Sequence, residues 1–142
     1  MRIALGSDER GELLDAIERK LSELGYETKR FGALEPGADD AWPAVGKSVG
    51  EAVASGECAT GIVCCWTGTG VSIAANKVPG VRAALCGDPA TAAGAREWND
   101  ANVLCLSMRA TTPAVGVEIL SAWLDGVPTS DTRYKAMIAQ LP

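Results

Sequence analysis

Five apolar residues, Gly61-Ile-Val-Cys-Cys65, run directly into Trp66-Thr-Gly-Thr-Gly70 and then into Val71–Lys77, a stretch compatible with helix. A short unbroken apolar run with β-branched members is what a strand buried on both faces requires, and the small residues after it suit a helix laid on that sheet. Gly68 and Gly70 let the connection turn sharply and leave its N–H groups bare at the positive end of the helix, where an anionic oxygen is stabilised. A strand covered on both faces is what a parallel sheet with helices on each side supplies. Cys65 ends the strand, where open α/β sheets place their ligands. A thiol beside a helix N-terminus is enriched in thiolate and is a candidate nucleophile or base. Cys64, next to it, reads as a small buried hydrophobe.

The remaining segments repeat the strand–helix alternation. Arg2–Gly6 reads as the first strand, and Leu13, Leu14, Ile17, Leu21 and Leu24 fall at helical spacing before Gly25. Tyr26–Phe31 reads as a second strand, at an edge because it carries Lys29 and Arg30. An irregular rim loop from Gly32 to Pro43 leads into a helix over 43–56. Val81–Cys86 is expected as the fourth strand, with Asp88 as N-cap and Pro89 as first residue of the helix behind it. Asn102–Leu106 is the fifth strand, Pro113–Gly126 the next helix, and a short amphipathic helix surrounds Tyr134, Met137, Ile138 and Leu141. The expected fold is one domain over residues 1–142, a three-layer sandwich on a five-stranded parallel sheet in the flavodoxin-like order 2-1-3-4-5. Asp8 then lies beside the glycine turn, either capping the first helix or facing a ligand.

Composition narrows the function. At 142 residues with 47% hydrophobic side chains, the chain is long enough to bury a core. A net charge of −5 without a basic run disfavours nucleic acids and anionic membrane surfaces. No apolar stretch approaches the roughly 20 residues of a membrane span, and Met1-Arg2-Ile3 leads into a strand rather than a leader, so a cytoplasmic location is expected. Five cysteines, at 58, 64, 65, 86 and 105, lack C-x-x-C spacing, which argues against disulfides and zinc. There is no histidine. Any acid–base chemistry must proceed without the side chain most often used for it.

The ordered set Cys65-x-Thr67-Gly68-x-Gly70-x-Ser72-x-Ala74-Ala75-Asn76-Lys77-x-x-Gly80-x-Arg82-Ala83-Ala84 resembles the signature of the ribose-5-phosphate isomerase B and galactose-6-phosphate isomerase family. Gly6-Ser-Asp8, Asp88-Pro89, Asn99-Asp100-Ala-Asn102-Val and Arg109 extend the resemblance almost end to end. It implies an aldose–ketose isomerase of a phosphorylated sugar that needs no metal or organic cofactor. It also implies a homodimer or homotetramer with shared sites, in which residues 128–142 form an arm packed on a partner subunit. On this basis Cys65, Thr67 and Asn99 are the catalytic candidates. Asp8, Glu9, Trp42, Trp66, Gly68, Thr69, Gly70, Ser72, Trp98, Arg109 and Arg133 are the candidates for binding substrate.

Departures from the family pattern fall on its histidines. Glu9 stands at one such position, where a carboxylate repels phosphate and favours a hydroxyl. Trp98 stands at the position assigned to opening the sugar ring, and an indole cannot exchange protons at neutral pH. In the tail, Pro128-Thr-Ser130 replaces a Gly-Arg-His, leaving Arg133 as the basic candidate. Trp42 keeps the aromatic of a family Asp-Tyr-Pro whose acid has become Ala41. An open-chain substrate such as a tetrose phosphate suits this set better than a cyclic sugar. Two other readings compete: a non-catalytic or regulatory sugar-phosphate-binding subunit, and a nucleotide- or flavin-binding module. The glycines match neither G-x-G-x-x-G nor G-x-x-x-x-G-K-[ST], which weighs against the last.

Overall fold

A computed structural model describes residues 1–142. Five parallel strands, β1 (Arg2–Ser7), β2 (Glu27–Gly32), β3 (Thr60–Cys65), β4 (Ala83–Leu85) and β5 (Val103–Ser107), form one sheet. The helices are α1 (Glu12–Glu23), α2 (Trp42–Ala54), α3 (Thr69–Asn76), α4 (Pro89–Asn99), α5 (Pro113–Asp125) and α6 (Thr132–Ile138). Strand β3 is buried at all six positions, and its side chains alternate between two cores. Ile62 and Cys64 join Leu14, Ile17, Ile119, Leu120 and Trp123 beneath α1, α4 and α5. Val63 and Cys65 join Val45, Val49, Val71 and Ala75 beneath α2 and α3. The expected three layers are therefore present, with two unlike cores separated by the sheet.

The strand order is β2-β1-β3-β5-β4, which exchanges the last two strands of the expected 2-1-3-4-5 order. Burial explains the exchange. Four of the five β5 residues are fully buried, so β5 takes the inner place beside β3, pairing Cys65 with Ser107. Strand β4 is only three residues long, rather than the six expected over Val81–Cys86, and Leu85 is 41% exposed. Such a strand is suited to an edge. Strand β2 forms the other edge, as its basic residues imply, and Lys29 and Arg30 there pair with Glu57 and Glu18.

Helix ends largely follow the local signals. Asp88 accepts the Thr91 N–H at 2.7 Å, as an N-cap should, with Pro89 opening α4. Asp8 is not a cap: α1 begins at Glu12 after Gly11, without a side-chain cap. Inside the sandwich, the Trp123 indole N–H donates to the Thr60 hydroxyl at 3.0 Å, and that hydroxyl donates to the Asn102 carbonyl at 2.9 Å. All five cysteines are buried and free. No helix is long and apolar enough to cross a membrane.

Replacing Thr60 by Val removes the only acceptor of a buried indole N–H while keeping the side chain's shape. Chemical denaturation should show a loss of about 1–3 kcal/mol, largely restored in Thr60→Ser.

Candidate active site

The glycine turn after β3 meets the ends of β1 and β5 at the carboxyl edge of the sheet. A cleft of about 370 Å³ opens there, lined by Asp8, Trp42, Cys65, Trp66, Thr67, Thr69, Gly70 and Ile73. Cys65 is 5% exposed and is the one cysteine in its lining. Gly68, the N-cap of α3, has φ of 75°, a conformation that favours glycine. A Cβ there would lie 2.6 Å from Leu85 Cδ1 and 2.9 Å from the Leu106 carbonyl carbon. At Gly70 a Cβ would meet the Trp42 ring at 2.8 Å, so this glycine is what lets the indole lie over the helix start.

Helix α3 has no side-chain cap, and the first intrahelical bond from its N-terminus is Ser72 N–H to Gly68 carbonyl at 3.3 Å. The N–H groups of Thr69, Gly70 and Val71 precede it and have no intrahelical acceptor. They form the open donor set beside Cys65. The hydroxyls of Thr67 and Thr69 lie 2.7 Å apart and bond to each other at the rim.

Asp8 faces this donor set from the end of β1. Its Oδ1 is buried without a hydrogen-bond partner, an acceptor that a ligand hydroxyl would satisfy. Burial and then the charge of Glu9 push the Asp8 carboxyl above its ordinary 3.8; Asp40 adds a smaller push against a backbone hydrogen bond that acts the other way. Glu9 itself is exposed and outside the cleft lining. Its backbone is fastened by Ser7, whose hydroxyl accepts the Glu9 N–H at 3.2 Å and donates to the Glu9 carbonyl at 2.5 Å. Arg109 leaves β5 beside the cleft, with its N–H donating to the Trp66 carbonyl at 2.8 Å. Its exposed guanidinium makes no ion pair or hydrogen bond.

Several candidates lie elsewhere within the chain. Ser72 faces the buried Cys105 thiol beneath α3, because the helix turns it away from the cleft. Trp98 and Asn99 end α4, which returns from the carboxyl edge of the sheet to the start of β5. The length of β5 separates them from the cleft, about 13 Å at ~3.3 Å per residue. Trp98 folds back over Gly94, whose added Cβ would lie 2.8 Å from the indole. Asn99 lines a separate hollow with Asn76, Arg82, Ala83 and Leu141. Arg133 belongs to α6, which packs on α4, and pairs with Asp131 at 2.8 Å. Ile73 is the lining residue that sequence reasoning missed. It falls four positions after Thr69, hence on the same helix face, and that spacing was the available signal.

A three-layer α/β domain with a thiol and open amide donors at the carboxyl edge of its sheet is the architecture of a small-molecule site. Over residues 3–141 the chain matches the Ribose/Galactose Isomerase family, and it belongs to that family. It is 40% identical over 124 residues to ribose-5-phosphate isomerase B of Escherichia coli K12, covering 87% of this chain and 83% of that protein. It is 36% identical over 126 residues to D-erythrulose-4-phosphate isomerase of Pectobacterium atrosepticum, covering 88% and 83%. The solved structure of Clostridium thermocellum ribose-5-phosphate isomerase B superposes with a TM-score of 0.90 at 41% identity, covering 99% of this chain and 94% of that one. No group of three or more Cys, Asp or Glu side chains is arranged to hold a metal ion.

Cys65 should be the fastest of the five cysteines to alkylate, followed by mass spectrometry of peptides. Burial pushes the Cys86 thiol up to about 11 and the Cys105 thiol up to about 12, and raises Cys58 and Cys64 as well. Faster modification at any other position would remove Cys65 from the chemistry.

Asp8→Asn carries a pH signature. A carboxyl whose folded-state pKa is raised favours folding below its ordinary 3.8, and that advantage is lost as pH rises through the raised value. At neutral pH the variant should therefore melt higher than the parent while losing turnover, and the gain in Tm should vanish as the pH falls towards 3.8.

Proposed function

We propose that the protein interconverts the aldose and ketose forms of a small phosphorylated sugar, and that its preferred substrate is open-chain, a tetrose or tetrulose phosphate. The carrying observation is that Cys65 alone among the thiols opens to the cleft, beside the uncapped first turn of α3. In this reading the Cys65 thiolate removes the proton from the carbon next to the carbonyl. The electron pair of the C–H bond forms the carbon–carbon double bond of an enediolate, and the carbonyl oxygen takes the negative charge. The amides of Thr69, Gly70 and Val71 and the Thr67 hydroxyl donate to that oxygen, which is stronger in the transition state than in the ground state. The hydroxyl on the neighbouring carbon then gives its proton to the oxyanion and its oxygen becomes the new carbonyl, while the electron pair of the double bond takes the proton back from the Cys65 thiol at the former carbonyl carbon, so that atoms and charge balance. The carboxylate of Asp8 accepts from a sugar hydroxyl.

Substrate form follows from the side chains near the site. Trp42, Trp66 and Ile73 narrow the cleft with apolar walls, and no histidine is available to open a ring. The Pectobacterium relative is named for a four-carbon ketose phosphate, which supports the same length here. Phosphate is directed away from Glu9 and Asp40, whose charges crowd Asp8, and towards the unpaired Arg109.

A second copy of the chain completes the proposal. Asn99, Trp98 and Arg133 are remote from their own Cys65, and α6 has no buried residue. Met137 and Leu141 of the arm are more than half exposed, as are Val127 just before it and Trp66 and Ile73 at the cleft. Packing the arm across a partner would cover this apolar surface and bring the three remote residues to a neighbouring cleft. The remoteness of Asn99 and Arg133 also favours the competing reading of a non-catalytic sugar-phosphate-binding subunit, and turnover by this chain alone separates the two.

Steady-state kinetics on D-erythrulose 4-phosphate and ribose 5-phosphate should give a kcat/KM at least about 100-fold higher for the four-carbon substrate, the scale of one missing acid–base group. Cys65→Ala should lower kcat by roughly 10²- to 10⁴-fold. Equal values for the two substrates would overturn the open-chain assignment, and absence of turnover on any four- to six-carbon sugar phosphate would favour the binding subunit.

A further inference from the structure

Asn76 ends α3, and its side chain grips the open edge of the sheet at two points. Its Nδ2 donates to the Ala83 carbonyl at 3.0 Å, and its Oδ1 accepts the Ala83 N–H at 2.8 Å. Strand β5 pairs with β4 through the neighbouring residues, since the Arg82 carbonyl accepts the Asn102 and Val103 N–H groups. The two Ala83 groups therefore face outward, and the Asn76 amide satisfies both as one residue of a sixth strand would. Two residues further along β4, the Leu85 side chain presses on Gly68, the N-cap at the opposite end of α3. Strand β4 thus holds α3 at both ends, by an amide clamp at its last residue and an apolar contact at its N-cap.

We infer that Asn76 is a positioning residue for the anion-binding turn: by clamping β4 to the end of α3, it seats Leu85 under Gly68 and fixes where the Thr69, Gly70 and Val71 amides point. Helix α3 is only eight residues long, and both its connections are turns. Its direction is set by what it leans on. Without the clamp, β4 is a three-residue edge strand held on one side, and the contact beneath Gly68 loses its support.

The inference rests on the isomerase reading for its kinetic readout, so a second readout independent of turnover accompanies it. Iodoacetate is an anion and iodoacetamide is not, so the ratio of their alkylation rates at Cys65 reports how well the open amides favour negative charge. In Asn76→Ala that ratio should fall about two- to fivefold, the scale of a helix-terminus interaction. In the same variant kcat should fall about 10- to 100-fold, as for a misplacement near 1 Å, with KM for the sugar phosphate within about twofold. Leu85→Ala should reproduce both effects and Leu85→Met should restore them. The double variant Asn76→Ala, Leu85→Ala should be no worse than the more affected single, because both act along one path. If Asn76→Ala melts lower yet keeps the parental ratio and kcat, the clamp merely covers the sheet edge and the inference is overturned. Multiplying effects in the double variant would overturn it as well. Should Asn76→Ala fail to fold, an unchanged alkylation ratio in Leu85→Ala is equally decisive. A parent that turns over no sugar phosphate removes the isomerase reading, while the alkylation ratio still tests the bracing.

Discussion

The site depends on one crowded residue. Gly68 is held in a left-handed conformation between the Leu85 side chain and the Leu106 backbone, and no side chain fits in the space it leaves. Because the chain turns there, α3 starts directly over the end of β3 instead of a loop's length away. The uncapped amides and Cys65 are brought together by this turn and by the burial of β3 on both faces. Hydrophobic packing supplies the rigidity, since α2 and α3 lie against each other over the same core that receives Cys65. The polar part of the site is therefore fixed by apolar contacts behind it, as preorganised donors need to be.

Much of this was legible because the signals are local. An unbroken apolar run ending in alternate glycines specifies strand, turn and helix within 17 residues, and it places Cys65, Thr67, Gly68, Thr69 and Gly70 on one connection. The order of β4 and β5 was not legible in the same way. Val81–Cys86 and Asn102–Leu106 are both short apolar runs, and which one is central depends on how many residues each buries, a tertiary quantity. Ser72 faces the core rather than the cleft of its own chain, a distinction that a family motif, which carries no helix phase, does not make. Read with its neighbours, it falls three positions before the buried Ala75, on the inward face.

Asn99 and Trp98 illustrate a different limit. A helix that joins parallel strands returns to the sheet's opposite edge, so its last residues are distant from the carboxyl ends of the strands in the same chain. That consequence of topology was available from the sequence, but the motif groups residues by conservation of order, not by edge. The tail follows the same geometry, with the Thr129 N–H donating to the Glu97 carbonyl at 2.8 Å and carrying Arg133 to that edge too.

The alternation of Cys64 and Cys65 into opposite cores has a consequence for how such a protein can change. Two identical side chains stand side by side, and only the pleat of β3 distinguishes them. Loss or gain of a single residue within Thr60–Cys65 would exchange their faces and hand the cleft to the other sulfur, with composition almost unaltered. Length within β3 therefore bears on the site more directly than the composition of the strand does.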